Sequence, residues 1–95
     1  MELQDGYSGK GKGLTGNYRE LTIDEMKGLR YGQRMPFVDV SGKVRECKVN
    51  GQPKTWKTRP NNVKVPIKYG MYEHGYAEMV DGKNVGVVLL ASMPD

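Results

Sequence analysis

Six cations, Lys48, Lys54, Lys57, Arg59, Lys64 and Lys68, fall in one stretch that also holds the chain's single tryptophan, Trp56, and is followed at once by Tyr69. Ammonium and guanidinium groups at such spacing neutralise phosphates and release condensed counterions, which drives nucleic-acid affinity without reading sequence. Exposed aromatic rings among them add base stacking, roughly 1–3 kcal/mol per base, and favour single strands. These eight residues are the candidate nucleic-acid-binding set. From Lys27 to Lys68 there are eleven Lys or Arg against only Asp39 and Glu46, a net +9, while the rest of the chain holds four basic and nine acidic residues, a net −5. The whole-chain charge of +4 therefore hides a strong segregation. Two plainer readings stand beside this one: alternating lysines are a solvated face that discourages edge-to-edge pairing, and Trp56 is the core aromatic of a small domain.

Other chemistry has less to stand on. Tyr69, Tyr72, His74 and Tyr76 form an aromatic-rich segment. It either supplies rigid anchors with polar handles to a protein partner or fills the interior and hydrogen-bonds at its rim. With one cysteine, Cys47, and one histidine, His74, neither an intramolecular disulfide nor a standard structural zinc site can be assembled. Cys47 reads as a small inward-facing apolar residue. Glu73 and Glu78 fall on opposite faces of one expected strand, so they do not form an acid–base pair. The run Gly9-Lys10-Gly11-Lys12-Gly13 lacks the Gly-Lys-Ser/Thr ending of a phosphate-binding loop; Lys10 and Lys12 would at most touch phosphates from a flexible leader. No catalytic residue, metal or cofactor is expected. No apolar run approaches about 20 residues and the N-terminus has no apolar signal-peptide core, so the expected setting is cytoplasmic and reduced, without a membrane.

The elements that must position these residues follow from periodicity and turn signals. Residues 1–18, rich in glycine, read as a flexible tail, and 19–92 as a single small domain. LTIDEMKGL (21–29) predicts a short helix with Thr22 as N-cap, Glu25 closing a capping box, Asp24 and Glu25 in the first turn, and a Leu21–Met26 staple. Strands are expected at 34–40, 43–49, 54–59, 62–68, 72–79 and 85–90, separated by Ser41-Gly42, Asn50-Gly51, Pro60-Asn61-Asn62, Tyr69-Gly70 and Asp81-Gly82. Asn50-Gly51 is the strongest hairpin signal. VGVVLL (85–90) is apolar almost throughout, which predicts a central strand buried on both faces or an intermolecular edge.

A short helix followed by five or six short strands predicts a mainly β domain, a small closed barrel. The cadence of Gly32, Val38-Asp39-Val40, Gly42, Cys47-Lys48-Val49 and Val63-Lys64-Val65 resembles SH3-like barrel modules; an OB-like barrel is the second choice. KVNGQPKTW followed by VPIKYGMYEHGY is similar to small proteins of phage and mobile elements. The function expected is a non-catalytic binding module that takes nucleic acid, DNA or RNA, on its basic strand face. The alternative is a protein-interaction module docking on an acidic partner surface. The sequence does not specify an oligomeric state.

Overall fold

The computed structural model describes residues 7–8 and 17–92. Nine strands and one helix make up this part of the chain: β1 (Tyr7–Ser8), β2 (Asn17–Glu20), α1 (Ile23–Lys27), β3 (Arg34–Val38), β4 (Val44–Val49), β5 (Lys54–Trp56), β6 (Arg59–Lys68), β7 (His74–Val80), β8 (Lys83–Gly86) and β9 (Val88–Ser92). The strand pairs are antiparallel, in the order β1-β2-β9-β3-β4-β6-β7-β8, with β5 also on β6. The mainly β reading holds. The closed barrel of five or six strands does not, because the sheet stays open and has more strands.

Three local differences explain the count. First, β2 starts at Asn17 and pairs with β9 through Tyr18↔Ser92, and β1 pairs with β2, so two strands occupy the stretch expected to be tail. The Gly9–Gly13 run with Lys10 and Lys12 lies outside the described residues, as do Met93–Asp95. Second, Asn50-Gly51 does not reverse the chain. The Asn50 amide donates to the Pro66 carbonyl, so the chain stays on the β6 ladder. As a result β4 (Val49↔Ile67) and β5 (Lys54↔Lys64) lie one after the other along the same edge of β6. The glycine is needed there for close approach rather than for a turn, since a Cβ at Gly51 would come within 2.9 Å of the Pro66 ring. The reversal occurs at Lys57-Thr58, after a register shift between Thr55 and Trp56. Third, Pro60-Asn61-Asn62 is strand, not turn. The Asn61 carbonyl and Asn62 side chain accept from Gly82 and Asp81, and the Pro60 carbonyl accepts from the Lys27 ammonium, so each is tied to neighbouring structure.

Other expectations are met. Asp81 (φ 54°) and Gly82 (φ 78°) both take positive φ between β7 and β8, as a type I′ hairpin requires. At the β3–β4 turn the Asp39 carboxylate accepts from the Ser41 and Lys43 amides and the Ser41 hydroxyl, and Gly42 takes φ 86°. The expected last strand is broken at Gly86 (φ 81°). Before this residue the chain pairs with β7; after it, β9 lies between β2 and β3.

That placement sets the core. Phe37, Cys47, Val49, Val63, Val65, Ile67, Ala77 and Leu89 point to one face, together with Leu21 and the fully buried Met26 of α1. On the other face of β9 and β3, Leu90 and Val38 pack with Tyr18. The strand buried on both faces is thus β9.

Helix α1 has the expected capping box. The Thr22 hydroxyl accepts from the Glu25 amide, and the Glu25 carboxylate accepts from the Thr22 amide. Arg19 of β2 forms a two-pronged ion pair with the same carboxylate, both contacts 2.7 Å. The Arg19 bond, then the Thr22 amide, hold the Glu25 carboxyl down at about 2. A depressed carboxyl stabilises the fold above its ordinary value near 4.5 and loses that contribution as pH falls towards about 2. Glu25→Gln, which keeps the cap but removes the charge, is therefore expected to melt below the parent at pH 7. The two should melt together near pH 2, and a gap of equal size at both pH values in thermal unfolding would refute the linkage.

Candidate nucleic-acid interface

Register decides which cations meet. Cross-strand partners point to the same face, and Arg34↔Lys48, Lys48↔Lys68 and Lys68↔His74 form one row across β3, β4, β6 and β7. At strand spacings near 4.8 Å the row spans about 14 Å. Further along β6, Lys54↔Lys64↔Glu78 form a second row over β5, β6 and β7. Between the rows stands Pro66↔Tyr76. These side chains alternate with Val63, Val65, Ile67, Ala77 and Met79, which fill the core. The cations therefore stand on the outer face because alternation places the apolar residues inside.

Aromatic rings sit among these cations. The Lys64 ammonium lies 4.4 Å from the centre of the Tyr76 ring, Lys48 5.4 Å from Tyr31, and Lys54 5.6 Å from Trp56. Tyr31 and Tyr76 are 66% and 57% exposed, so their rings remain open to a ligand. Trp56 is half-buried but belongs to neither core cluster, which removes its reading as the core aromatic. Two depressions open on this face. One, of about 340 Å³, is bordered by Arg34, Glu46, Cys47, Lys48, Lys68, Tyr69 and Gly70. The other, of about 260 Å³, is bordered by Gln52, Lys54, Lys64, Pro66 and Tyr76.

Of the eight candidates, Lys48, Lys54, Trp56, Lys64 and Lys68 are brought together. Lys57 and Arg59 stand at the exposed β5–β6 turn, outside the two rows. Tyr69 is drawn elsewhere. Its ring packs 5.4 Å from Phe37 at the rim of the core, its hydroxyl donates to the His74 carbonyl, and the Arg45 guanidinium lies 5.2 Å from its centre. Arg45 points inward with Phe37, its register partner, and is held by Asp39 at 3.8 Å and Glu73 at 3.9 Å. It adds to the sequence charge and not to the face. Glu46, 3.9 Å from Arg34, and Glu78 are the carboxylates within the field.

The sequence reading omitted Arg34 and Tyr31 and placed Tyr76 and His74 in a different cluster. Arg34 was within reach. Counting outward from the Asp39–Lys43 turn pairs Val38 with Val44 and therefore Arg34 with Lys48. Tyr31 carried no signal, because it precedes β3 and meets Lys48 only through the fold.

Cys47 is buried on the opposite, inner face. Burial, with the neighbouring Glu46 charge adding to it, pushes its thiol up to about 12, and a protonated thiol is a poor nucleophile. Iodoacetamide at about pH 8 should leave the native protein unmodified and alkylate it stoichiometrically in denaturant, as read by mass spectrometry; rapid native alkylation would contradict the placement. Among the described residues no cluster of His, Cys, Asp and Glu could hold a metal ion, and no helix is long and apolar enough to cross a membrane.

Fold and site together define a small antiparallel β domain with one cationic, aromatic-bearing sheet face. No protein-family model matches the chain, and no curated protein or solved structure does.

Proposed function

We propose that the chain is a non-catalytic module that binds nucleic acid on the outer face of β3, β4, β5, β6 and β7. One observation carries this reading. Arg34, Lys48 and Lys68 are register partners across three adjacent strands, and Lys54 and Lys64 extend the field along β6. Five cations fixed on one sheet face suit a polyanion with regularly spaced charges. The resemblance to SH3-like barrels and to small phage or mobile-element proteins is compatible with a binding role, in a reducing cytoplasm, and adds no residue to it.

The test is a titration of Trp56 fluorescence with short oligonucleotides at low and moderate salt. Five phosphate contacts predict an affinity that falls by about two orders of magnitude between roughly 50 and 200 mM salt. No binding at the lower salt would turn the search to a protein with an acidic surface, which the same face would attract by electrostatic steering.

A further inference from the structure

Resting on that reading, we infer that the ligand is single-stranded, and that Tyr76 and Tyr31 each receive an unpaired base beside a lysine that receives the phosphate. The two depressions lie along one strand. Lys68 borders the first and Lys64 the second, four residues apart on β6, or about 13 Å. The second is bordered by the open Tyr76 ring, with the Lys64 ammonium lying against it; at the first, Lys48 lies against the open Tyr31 ring. A duplex keeps its base faces stacked inside and offers only phosphates and groove edges, so it leaves both rings unused. A single strand brings a π-face and a phosphate in every nucleotide and can satisfy ring and ammonium together.

The half-buried setting of the lysines supports the same choice. Lys48, Lys64 and Lys68 are each only partly exposed, and the first two lie against rings instead of projecting from the sheet. The Lys48 and Lys64 charges sit beside their rings, where a stacked base holds its own backbone close. The stiff rod of a duplex contacts a twisted sheet along a narrow line and reaches few of them. Gln52, at the edge of the second depression, adds an amide that can donate to and accept from a base edge.

The experiment uses fluorescence anisotropy with the full chain, a labelled oligothymidylate of about twelve nucleotides, its uridylate counterpart and a blunt duplex of the same length. The single strands are expected to bind at least about tenfold more tightly than the duplex. Tyr76→Leu, a substitution at an exposed position, is expected to weaken single-strand binding about tenfold and leave its salt dependence unchanged, because it removes stacking and no charge. Duplex binding equal to single-strand binding, or a Tyr76→Leu protein with unaltered affinity, overturns this inference and leaves nucleic-acid binding standing. Absence of binding to all three probes at about 50 mM salt overturns the nucleic-acid reading itself. Tighter binding of either single strand than of the duplex supports the inference.

Discussion

Replacing Lys48, Lys64 and Lys68 together by glutamine is expected to lower oligonucleotide affinity by about two orders of magnitude at 50 mM salt and to reduce the slope of log K against log salt by about two. Each lysine that neutralises a phosphate contributes about 0.7 to that slope on a single strand. The three are partners or near neighbours along one strand edge, Lys48 opposite Lys68 and Lys64 further along β6. Stability should change little, because among the described residues no ion pair or hydrogen bond ends on their ammonium groups and glutamine retains much of each aliphatic stem. Arg45→Gln supplies the contrast. Its guanidinium faces inward over the Phe37 and Tyr69 rings, with Asp39 and Glu73 beside it. That substitution should lower stability and leave both affinity and slope intact. An unchanged slope in the triple variant would place the ligand on another surface.

Phe37→Ala is expected to cost about 3–5 kcal/mol, the usual range for removing a buried ring. The total stability of a chain this size is on the order of 5–14 kcal/mol, so the loss is a large part of it. Phe37 is fully buried and lies at a junction. It stands opposite Leu89 on one side and Arg45 on the other, and it meets the Tyr69 ring at 5.4 Å. Truncation leaves a cavity and removes a ring from beneath the Arg45 guanidinium. Phe37→Leu, which keeps most of the volume, should cost clearly less. Urea unfolding read by Trp56 fluorescence checks both, and a loss below about 1 kcal/mol for the alanine variant would show that the core does not turn on this residue.

Much of the inner face was legible in the sequence. Val63, Val65 and Ile67 alternate with Lys64, Pro66 and Lys68, and period two is a strong signal when β-branched residues carry it. The helix was legible because Thr22, Asp24, Glu25 and Gly28 each state a position in a cap. What failed were decisions between local and non-local partners. Asn50-Gly51 has the composition of a hairpin, yet the β6 ladder claims the Asn50 amide and the chain runs on. Gly86 looked like one residue in a continuous strand, but its positive φ swings the chain from β7 to β3. The site was legible in its charge and illegible in its rings. Lysines announce themselves by type, whereas Tyr69 and Tyr76, seven residues apart, go to opposite faces, and only the packing of Phe37 and Arg45 assigns Tyr69 inward.

The position of β9 has a kinetic consequence. The hairpins β3–β4, β5–β6, β6–β7 and β7–β8 each pair neighbours in sequence, so each closes a short loop and forms early. β9 must instead find β2 and β3, and its register with β2 joins Tyr18 to Ser92, nearly the length of the described chain. Closing so long a loop is entropically unfavourable until Leu89 and Leu90 reach their separate clusters. Folding should therefore be governed by the arrival of this one strand, in the millisecond-to-second range of high-contact-order proteins. Until it arrives, β3 has a free edge, open to pairing with another chain in place of its own C-terminal strand.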